Sequence, residues 1–534
     1  MPVSIVLSDL TWSPADGRPL FSNLDIAFGA ERAGLVGRNG VGKTTLLRLI
    51  AGEFCPQSGR VTVNGRLAWL RQRVQQQADE AVADLFGARD ALALLRRAER
   101  GEATTNELTS ADWTLEARIA AALARVGLDV PAETPLATLS GGQSTRAGLA
   151  SLVFAEPDFV LLDEPTNNLD REGRRAMIDL LAGWRSGAIV VSHDRELLER
   201  MDAIVELTSL GVTRYGGNWS HYRELKAHQL AAAERDLADA EKRLAETKRN
   251  AQAAAERQAR KTSAGRKHGA GGGTPRILLG ARKNRSEATG GVMARLAERR
   301  NDEARDDVTS ARQRVETLQS LTVALPSTGL PAGRAVLTLD ALTAGYAPER
   351  PVLRDLSFSI VGPERIVVTG PNGSGKTTLL QVIAGELRPW SGSVVVKVSF
   401  AMFDQRARLL DPSRTIRDNF LKLNPQADET ACRAALARFM FRADAALQTV
   451  STLSGGQLLR AALACVLGVS PPSLLILDEP TNHLDIHSTE AIEAGLRAYD
   501  GALLVVSHDE AFLQAIGISR RIALTALRSR RMSA

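Results

Sequence analysis

Five short motifs occur twice in this chain, in the same order and at nearly the same spacing. In the first half they are GRNGVGKTT (Gly37–Thr45), Gln72, LSGGQ (Leu139–Gln143), FVLLDEPTNNLD and IVVSHD. In the second half they are GPNGSGKTT (Gly370–Thr378), Gln405, LSGGQ (Leu453–Gln457), LLILDEPTNHLD and LVVSHD. A repeat on this scale predicts two homologous domains, each a complete structural unit.

The first motif fits the phosphate-binding P-loop pattern G-x-x-x-x-G-K-[ST]. A short apolar run, typical of a buried parallel strand, precedes each copy, and an apolar helical segment follows it. In this context we expect the backbone N–H groups to face phosphates, Lys43 and Lys376 to reach the β- and γ-phosphates, and Thr44 and Thr377 to place a hydroxyl on Mg²⁺. The predicted ATP-binding residues of the loops are Gly37, Asn39, Gly40, Gly42, Lys43, Thr44, Thr45, Gly370, Asn372, Gly373, Gly375, Lys376, Thr377 and Thr378.

Acidic pairs end two further apolar strands. Asp163 and Asp478 stand at the strand ends, where they are expected to support the Mg²⁺ shell. Glu164 and Glu479 follow them and are placed to polarise an attacking water. An Asp-Glu pair at a strand end is also typical of a solvated loop, but the preceding P-loop favours the catalytic interpretation.

Histidines close the next strand in both halves. A single histidine is more often structural than catalytic, but His193 and His508 recur at the same place after AIVVS and LLVVS. We therefore expect each imidazole to contact the γ-phosphate or the attacking water. The predicted catalytic residues are Glu164, Glu479, His193 and His508.

The LSGGQ segments have the pattern of helix N-termini. Ser140 and Ser454 are predicted N-caps, and the cap hydroxyl, glycine N–H groups and helix dipole together form an anion site. Because a P-loop domain already has one phosphate cradle, a second anion site suits the nucleotide of the other domain. The residues concerned are Ser140, Gly141, Gly142, Gln143, Ser454, Gly455, Gly456 and Gln457.

Together these motifs resemble the ATP-binding cassette family. The resemblance implies an α/β fold with two P-loop NTPase cassettes that pair head to tail, each ATP lying between one P-loop and the opposite LSGGQ. It also implies that Gln72 and Gln405 are Q-loop residues near ATP and Mg²⁺, and that Asp170 and Asp485 belong to D-loops. Adenine often stacks on an aromatic residue before the P-loop in this family. Tyr346 occupies that place in the second copy, whereas Pro14 aligns with it in the first and Trp12 lies nearby.

The repeat defines the predicted domains as cassette 1 at 1–218, an α-helical hairpin linker at 219–333 and cassette 2 at 334–534. Cassette 1 contains extra residues at about 75–115, which we expect to form helices around a polar turn at Gly101–Ser110. This insertion is either a solvated helical extension or a docking arm. Three scattered cysteines with no paired spacing argue against disulfides or a zinc site and indicate ordinary buried thiols.

The linker sequence predicts two helices, from Asn218 to about Ser263 and at about 292–321. Apolar residues recur at heptad spacing in both. Residues 241–300 carry a positive excess large enough that the rest of the chain is net acidic, although the whole chain is +6. A charge run is usually a solvated face, but this one is focused at the hairpin tip and indicates a phosphate backbone as partner. Our best candidates for RNA contacts are Arg276, Lys283 and Arg285.

Two cassettes on one chain, the EPTNHLD segment and the absence of a long apolar run look like an ABC-F ATPase. That resemblance implies a cytoplasmic, ribosome-associated ATPase whose linker reaches toward transfer RNA. The N-terminus lacks a basic n-region and is not expected to be a signal peptide. The predicted partners are ribosomal RNA and transfer RNA, the cofactors are ATP and Mg²⁺, and the two cassettes are expected to pair within a monomer. The protein would modulate translation or protect ribosomes from antibiotics.

Two other functions remain open from the sequence. One is the ATPase subunit of a membrane transporter, for which a fused cassette pair with a basic hairpin is not typical. The other is a nucleic-acid repair ATPase, although such proteins usually carry zinc-binding cysteines or much longer coiled coils, and neither occurs here.

Overall fold

The computed structural model of the chain describes residues 3–14, 17, 19–70, 80–167, 169, 171–209, 211–269, 298–312, 325–347, 351–403, 409–482 and 484–524. The chain divides into two compact units. One unit contains Met1–Trp219 together with Leu321–Ala534, so both cassettes belong to it. The other is Ser220–Ser320.

Cassette 1 is built on a six-stranded sheet in the order β5-β6-β7-β3-β8-β9, parallel except for the last pair. A separate antiparallel sheet has the order β2-β1-β4. The strands are β1 (Ser4–Trp12), β2 (Phe21–Phe28), β3 (Arg32–Val36), β4 (Ser58–Asn64), β5 (Leu67–Leu70), β6 (Phe159–Asp163), β7 (Gly187–Val191), β8 (Ala203–Thr208) and β9 (Gly211–Gly216). The helices are α1 (Lys43–Ile50), α2 (Val82–Leu85), α3 (Arg89–Glu99), α4 (Thr105–Ser110), α5 (Leu115–Arg125), α6 (Gly141–Ala155), α7 (Arg171–Ala182) and α8 (Arg195–Leu198).

The apolar strands of this sheet are almost completely buried, as near-continuous hydrophobic runs in parallel sheets usually are. Strands β3, β6 and β7 lie side by side, because Leu35 pairs with Val191 and Leu162 with Val190. Their carboxyl ends therefore meet at one edge of the sheet, which is where ligands bind in open α/β sheets.

Linker elements follow cassette 1 in the chain. Helix α9 spans Trp219–Gly269, and the described residues 298–312, here called α10, are helical throughout. Within the second unit Ala240, Val308 and Ala311 are buried together, with Leu237 and Leu244 packed against them. Arg312 also pairs with Glu241 at 2.9 Å. The heptad residues thus form a packed seam between the two helices.

Cassette 2 repeats the arrangement with a parallel sheet in the order β14-β15-β16-β12-β17 and an antiparallel sheet in the order β11-β10-β13. The strands are β10 (Ala335–Ala344), β11 (Leu353–Val361), β12 (Arg365–Thr369), β13 (Ser391–Val396), β14 (Phe400–Phe403), β15 (Leu474–Asp478), β16 (Ala502–Val506) and β17 (Arg520–Ala523). The helices are α11 (Lys376–Ile383), α12 (Ile416–Leu423), α13 (Glu429–Arg438), α14 (Gly455–Leu467), α15 (Ile486–Ala498) and α16 (Glu510–Ala515).

The insertion in cassette 1 differs from the sequence prediction in one place. Residues Thr105–Ser110 form helix α4 where we predicted a polar turn across Gly101–Ser110. The helix forms because Thr104 caps it and exchanges hydrogen bonds with Glu107 three residues later.

The three cysteines are free, as predicted, but they are not equally buried. Cys432 and Cys465 are buried, whereas Cys55 is exposed. The expectation of a buried thiol was therefore wrong for Cys55.

Candidate functional site

Both P-loops connect a buried strand to a helix at the carboxyl edge of a central sheet. In cassette 1 the loop joins β3 to α1, and in cassette 2 it joins β12 to α11. The helix N-caps Gly42 and Gly375 adopt left-handed conformations, with φ of 106° and 94°. A Cβ at Gly42 would also lie 2.7 Å from the Phe21 ring. The motif therefore needs glycine there for both conformation and space.

The P-loop lysines fold back across their own loops. Lys43 Nζ donates hydrogen bonds to the carbonyls of Gly37 at 2.7 Å and Arg38 at 3.2 Å. Lys376 Nζ makes the equivalent bonds to Gly370 and Pro371 at the same distances. Each ammonium group is thus held over the space enclosed by its loop.

The threonine after each lysine meets the acid that ends the neighbouring strand. Thr44 Oγ1 donates a hydrogen bond to Asp163 Oδ2 at 2.8 Å, and Thr377 Oγ1 lies 3.1 Å from Asp478 Oδ2. Burial raises the pKa of Asp163, while the Thr44 hydrogen bond and Lys43 act in the opposite direction. In each cassette the two motifs therefore join into one cluster of oxygen atoms beside a lysine.

The glutamate that follows each strand has unusual backbone geometry. Glu164 and Glu479 have φ of 49° and 47°, in the left-handed region that residues other than glycine seldom adopt. The N–H of Glu164 donates to the carbonyl of Val191 at 2.9 Å, and that of Glu479 to Val506 at 2.8 Å. The adjacent strand thus holds each glutamate in a strained position, as is common at functional sites.

Each glutamate faces the predicted histidine of its own cassette. His193 Nε2 lies 3.0 Å from Glu164 Oε1, and His508 Nε2 lies 3.5 Å from Glu479 Oε1. Burial raises the pKa of Glu164 to about 8 and that of Glu479 to about 7, although the lysine of the same site opposes the shift. Burial also lowers the pKa of His193 to about 3, so this imidazole is neutral at physiological pH. A carboxyl group poised near neutral pH beside a neutral imidazole is suited to proton transfer.

A cavity of about 280 Å³ lies at the first P-loop. The residues that line it are Leu20, Asn39, Gly40, Gly42, Lys43, Thr44, Thr45, Asp163, Glu164, Asn167, Val191 and His193. The structure therefore brings the loop, acid, glutamate and histidine of cassette 1 into one chamber.

The LSGGQ segments begin helices as predicted. The Ser140 hydroxyl accepts a hydrogen bond from the N–H of Gln143 at 3.3 Å, and Ser454 accepts one from Gln457 at 3.4 Å. In return each glutamine Oε1 accepts a hydrogen bond from the N–H of its serine at 2.9 Å, which completes a capping box. Gly141 and Gly455 have open space around them, so a ligand can approach the backbone closely.

Cassette 2 meets the first P-loop directly. The N–H of Asn39 donates to Asp485 Oδ2 at 2.8 Å. Burial acts to raise the pKa of Asp485, but hydrogen bonds from Ser488 and Asn39 lower it overall. Burial lowers the pKa of Arg460, on the helix that LSGGQ begins in cassette 2; Asp485 opposes this shift and Arg38 of the first P-loop adds to it.

A second cavity, of about 250 Å³, lies between the cassettes. It reaches both glutamate–histidine pairs, since Glu164, His193, Glu479 and His508 all line it. Two arginines of cassette 1 cross the interface beside it. Arg174 Nη1 donates to the carbonyl of His508 at 2.7 Å, and Arg195 pairs with Glu493 at 2.8 Å.

The two aromatic candidates for adenine stacking lie in different surroundings. Trp12 stacks on Phe54 with ring centroids 5.4 Å apart and an interplanar angle of 12°. Tyr346 is 66% exposed, and its hydroxyl donates to Gln381 Oε1 at 2.8 Å. The Tyr346 ring is therefore anchored at one end with its faces accessible, whereas one face of Trp12 is already covered.

Several predicted residues lie outside the described part of the chain. They are Gln72, Gln405, Asp170, Arg276, Lys283 and Arg285.

Sequence reasoning missed Arg174, Arg195 and Glu493. None of the three belongs to a repeated motif. The available clue was that Arg174, close to the D-loop of the first half, corresponds to Thr489 in the second half. That difference acquires a meaning only when the interface between the cassettes is known.

The fold and its two sites define a P-loop ATPase with tandem ATP-binding cassettes. A model of the ABC transporter family matches residues 22–167 and 353–482. The tylosin resistance ATP-binding protein TlrC of Streptomyces fradiae is 35% identical, over 92% of both chains. The energy-dependent translational throttle protein EttA of Mycobacterium tuberculosis is 30% identical, over 90% of this chain and 84% of its own. The chain belongs to the ABC-F family of ATP-binding cassette proteins, and it binds and hydrolyses ATP.

A solved structure shows the same fold at lower identity. It is the crystal structure of the complex of archaeal ribosomal stalk protein aP1 and archaeal ribosome recycling factor aABCE1, with 17% identity and a TM-score of 0.58. The match covers 96% of this chain and 87% of the other. Among the described helices of the present protein, none is long and apolar enough to cross a membrane.

Proposed function

We propose that this ATPase binds the ribosome in the cytoplasm and protects translation from an antibiotic. The observation that carries the proposal is the 35% identity, over 92% of both chains, to a tylosin resistance protein. The relation to a translational throttle protein supports the broader role of modulating translation. The partners we propose are ribosomal RNA and transfer RNA.

Each ATP would bind with its phosphates in the P-loop. Lys43 and Lys376 would contact the β- and γ-phosphates, since both are already held over their loops by carbonyl hydrogen bonds. Tyr346 would stack on the adenine in cassette 2, with Trp12 serving cassette 1.

The chain's residues fit a magnesium ion. Thr44 and Asp163, and likewise Thr377 and Asp478, place a hydroxyl and a carboxylate oxygen together. The described ranges contain no cluster of three or more His, Cys, Asp or Glu arranged to hold a metal. One carboxylate beside substrate phosphates is the usual Mg²⁺ environment, and Gln72 and Gln405 would complete it. When bound, Mg²⁺ supplies charge neutralisation at the β- and γ-phosphates.

Glu164 and Glu479 would orient and deprotonate the attacking water. Burial raises the pKa of each carboxyl group to near neutral pH, where the group exchanges protons efficiently. His193 and His508, 3.0 and 3.5 Å from those carboxyl groups, would hold the γ-phosphate or the water in line.

The cassettes would close on ATP within one monomer. We propose that Gly37–Thr45 pairs with Ser454–Gln457, and Gly370–Thr378 with Ser140–Gln143. The hydrogen bond from Asn39 to Asp485 supports the first pairing. Triphosphates shared between both halves would then stabilise the closed state over the open one.

The basic segment of the linker would contact RNA. Arg276, Lys283 and Arg285 remain our candidates on the grounds of charge. The packed seam of Ala240, Val308 and Ala311 supports a stiff helical pair that could carry this segment.

The test combines sedimentation with growth in tylosin. The double variant Glu164→Gln/Glu479→Gln should bind ATP without hydrolysing it and accumulate on ribosomes in a sucrose gradient. The wild type, but not the double variant, should raise the tylosin concentration that a sensitive bacterial host tolerates.

A matched control is Lys43→Ala/Lys376→Ala, which should neither accumulate nor protect. Ribosome binding without any gain in tolerance would favour a throttle-like role instead. Absence from ribosomes in all variants would refute the proposal.

A further inference from the structure

One guanidinium group touches the histidine segments of both active sites. Arg174 lies on α7 of cassette 1, and its side chain is only 11% exposed. Its Nη2 donates to Asp194 Oδ1 at 2.6 Å, and its Nε lies 2.6 Å from Asp194 Oδ2. Its Nη1 donates at 2.7 Å to the carbonyl of His508, in the other cassette. Arg174 therefore bridges the residue after His193 to His508 itself.

The bridge has a fixed geometry. A planar guanidinium presents donors in a fork, and here the carboxylate of Asp194 takes one side while the remaining nitrogen faces His508. Asp194 is itself held, because Oδ1 also accepts the N–H groups of Glu196 and Leu197 at the start of α8. Burial acts against the charged form, but Asp194 more than offsets this and raises the pKa of Arg174. The group therefore remains a permanently charged bridge.

The second cassette has no equivalent bridge at the repeated position. The residue that corresponds to Arg174 in the repeat is Thr489. Its hydroxyl donates to the carbonyl of Asp485 in its own cassette at 3.1 Å. The side chain of threonine is also too short to span the distance that arginine covers. The two sites are thus linked through a residue that only cassette 1 supplies.

We propose that Arg174 is a positioning residue that sets the place of His508 in the second site and ties it to the histidine segment of the first. The inference rests on the proposed role of His508 at the γ-phosphate. Loss of the bridge should lower turnover at the second site more than at the first. At the first site Asp194 keeps its hydrogen bonds to α8 and so retains its position.

The experiment measures each site separately in the full-length chain. With Glu164→Gln only the second site turns over, and with Glu479→Gln only the first does. Adding Arg174→Ala should lower kcat at the second site on the order of tenfold, with KM nearly unchanged, because a small misplacement of a catalytic group is costly. The same change should lower kcat at the first site by less than about threefold.

Arg195→Ala is the matched control. Arg195 also crosses the interface, where it pairs with Glu493 at 2.8 Å with little exposure on either side. It makes no hydrogen bond to His508 in the described part of the chain. Its loss should weaken cassette pairing and lower kcat at both sites to a similar extent. Arg174→Lys keeps the charge but has a single nitrogen, so it should resemble Arg174→Ala at the second site.

The reference variant is His508→Ala in the Glu164→Gln background, and it distinguishes the role of His508 from that of Arg174. If His508→Ala leaves turnover at the second site unchanged, the proposed role of His508 fails, and the action of Arg174 through it fails as well. If His508→Ala abolishes turnover at the second site but Arg174→Ala does not lower it, only the Arg174 inference fails. Equal losses at both sites on Arg174→Ala, as expected for Arg195→Ala, would reduce Arg174 to an ordinary interface contact. Thermal melting of every variant identifies any loss due to unfolding.

Discussion

The two nucleotide sites carry the same motif residues but are enclosed to different degrees. Lys43 is buried and Thr44 is half-buried, whereas Lys376 is half-buried and Thr377 is exposed. The glutamate–histidine distance is 3.0 Å in the first site and 3.5 Å in the second. Burial accordingly raises the glutamate pKa further in the first site, to about 8 against about 7.

A duplicated motif therefore does not guarantee a duplicated environment. Part of the enclosure of each site comes from the other cassette. Asp485 covers the first P-loop through Asn39, and Arg174 and Arg195 cross from cassette 1 to cassette 2. The repeat counterparts of the two arginines differ in size or charge, since Thr489 corresponds to Arg174 and Glu510 to Arg195.

The largest effect should come from removing the catalytic carboxyl groups. Glu164→Gln/Glu479→Gln should lower steady-state phosphate release on the order of 10²-fold or more, because the general base is lost at both sites. Each single variant should retain the activity of the other site, and their ratio measures how unequal the sites are. If either single variant abolishes all turnover, the sites cannot be compared as independent centres.

The next largest effect should be a difference between the two sites in the pH dependence of ATP hydrolysis. The glutamate must be deprotonated to accept a proton, so activity rises with pH through its pKa. The Glu479→Gln variant reports Glu164, and its rate should rise around pH 8, while Glu164→Gln reports Glu479 and should rise around pH 7. Rate profiles of the two variants from about pH 6 to about pH 9 test this order. Coincident midpoints would show that the difference in enclosure has no effect on catalysis.

Removal of the aromatic side chains should affect the two sites differently. Tyr346→Ala should weaken ATP binding at the second site by about tenfold, and because the ring is exposed it should have little effect on melting temperature. Trp12→Ala should weaken ATP binding at the first site and should also destabilise the fold by about 2 kcal/mol, because Trp12 packs on Phe54 beside the core. Fluorescent-nucleotide titration and thermal melting measure the two quantities.

Tyr346→Phe is the control for this pair, because it keeps the ring and removes only the hydroxyl bonds to Gln381 and Thr378. It should bind ATP almost as well as the wild type. A loss equal to that of Tyr346→Ala would assign the effect to the hydroxyl anchor instead of stacking.

The smallest effect should be the same at both sites. Ser140→Ala and Ser454→Ala each remove an N-cap of nearly equal geometry and should cost about 1 kcal/mol of unfolding free energy. Urea denaturation of the two variants measures this, with Ser→Gly at each position costing only a few tenths of a kcal/mol. Markedly unequal costs would indicate that the two helices differ in packing beyond their caps.

Much of the fold could be predicted because the informative signals are local. Gly42 and Gly375 mark strand–loop–helix turns whatever surrounds them, and apolar runs ending in Asp163 or Asp478 indicate buried strands. The prediction missed helix α4 because the polar composition of this segment is typical of a turn. The helix is stabilised by the reciprocal hydrogen bonds of Thr104 and Glu107.

The duplicated cassettes and the chemistry of each site follow from the amino-acid sequence alone, because phosphate cradles, strand-end acids and helix caps are encoded within a few neighbouring residues. The differences in enclosure between the two sites follow instead from the packing of the folded chain. Burial, the separation of Glu164 from His193, and the reach of Arg174 to His508 depend on residues far apart in the chain. Their positions are set by the packing of one cassette against the other.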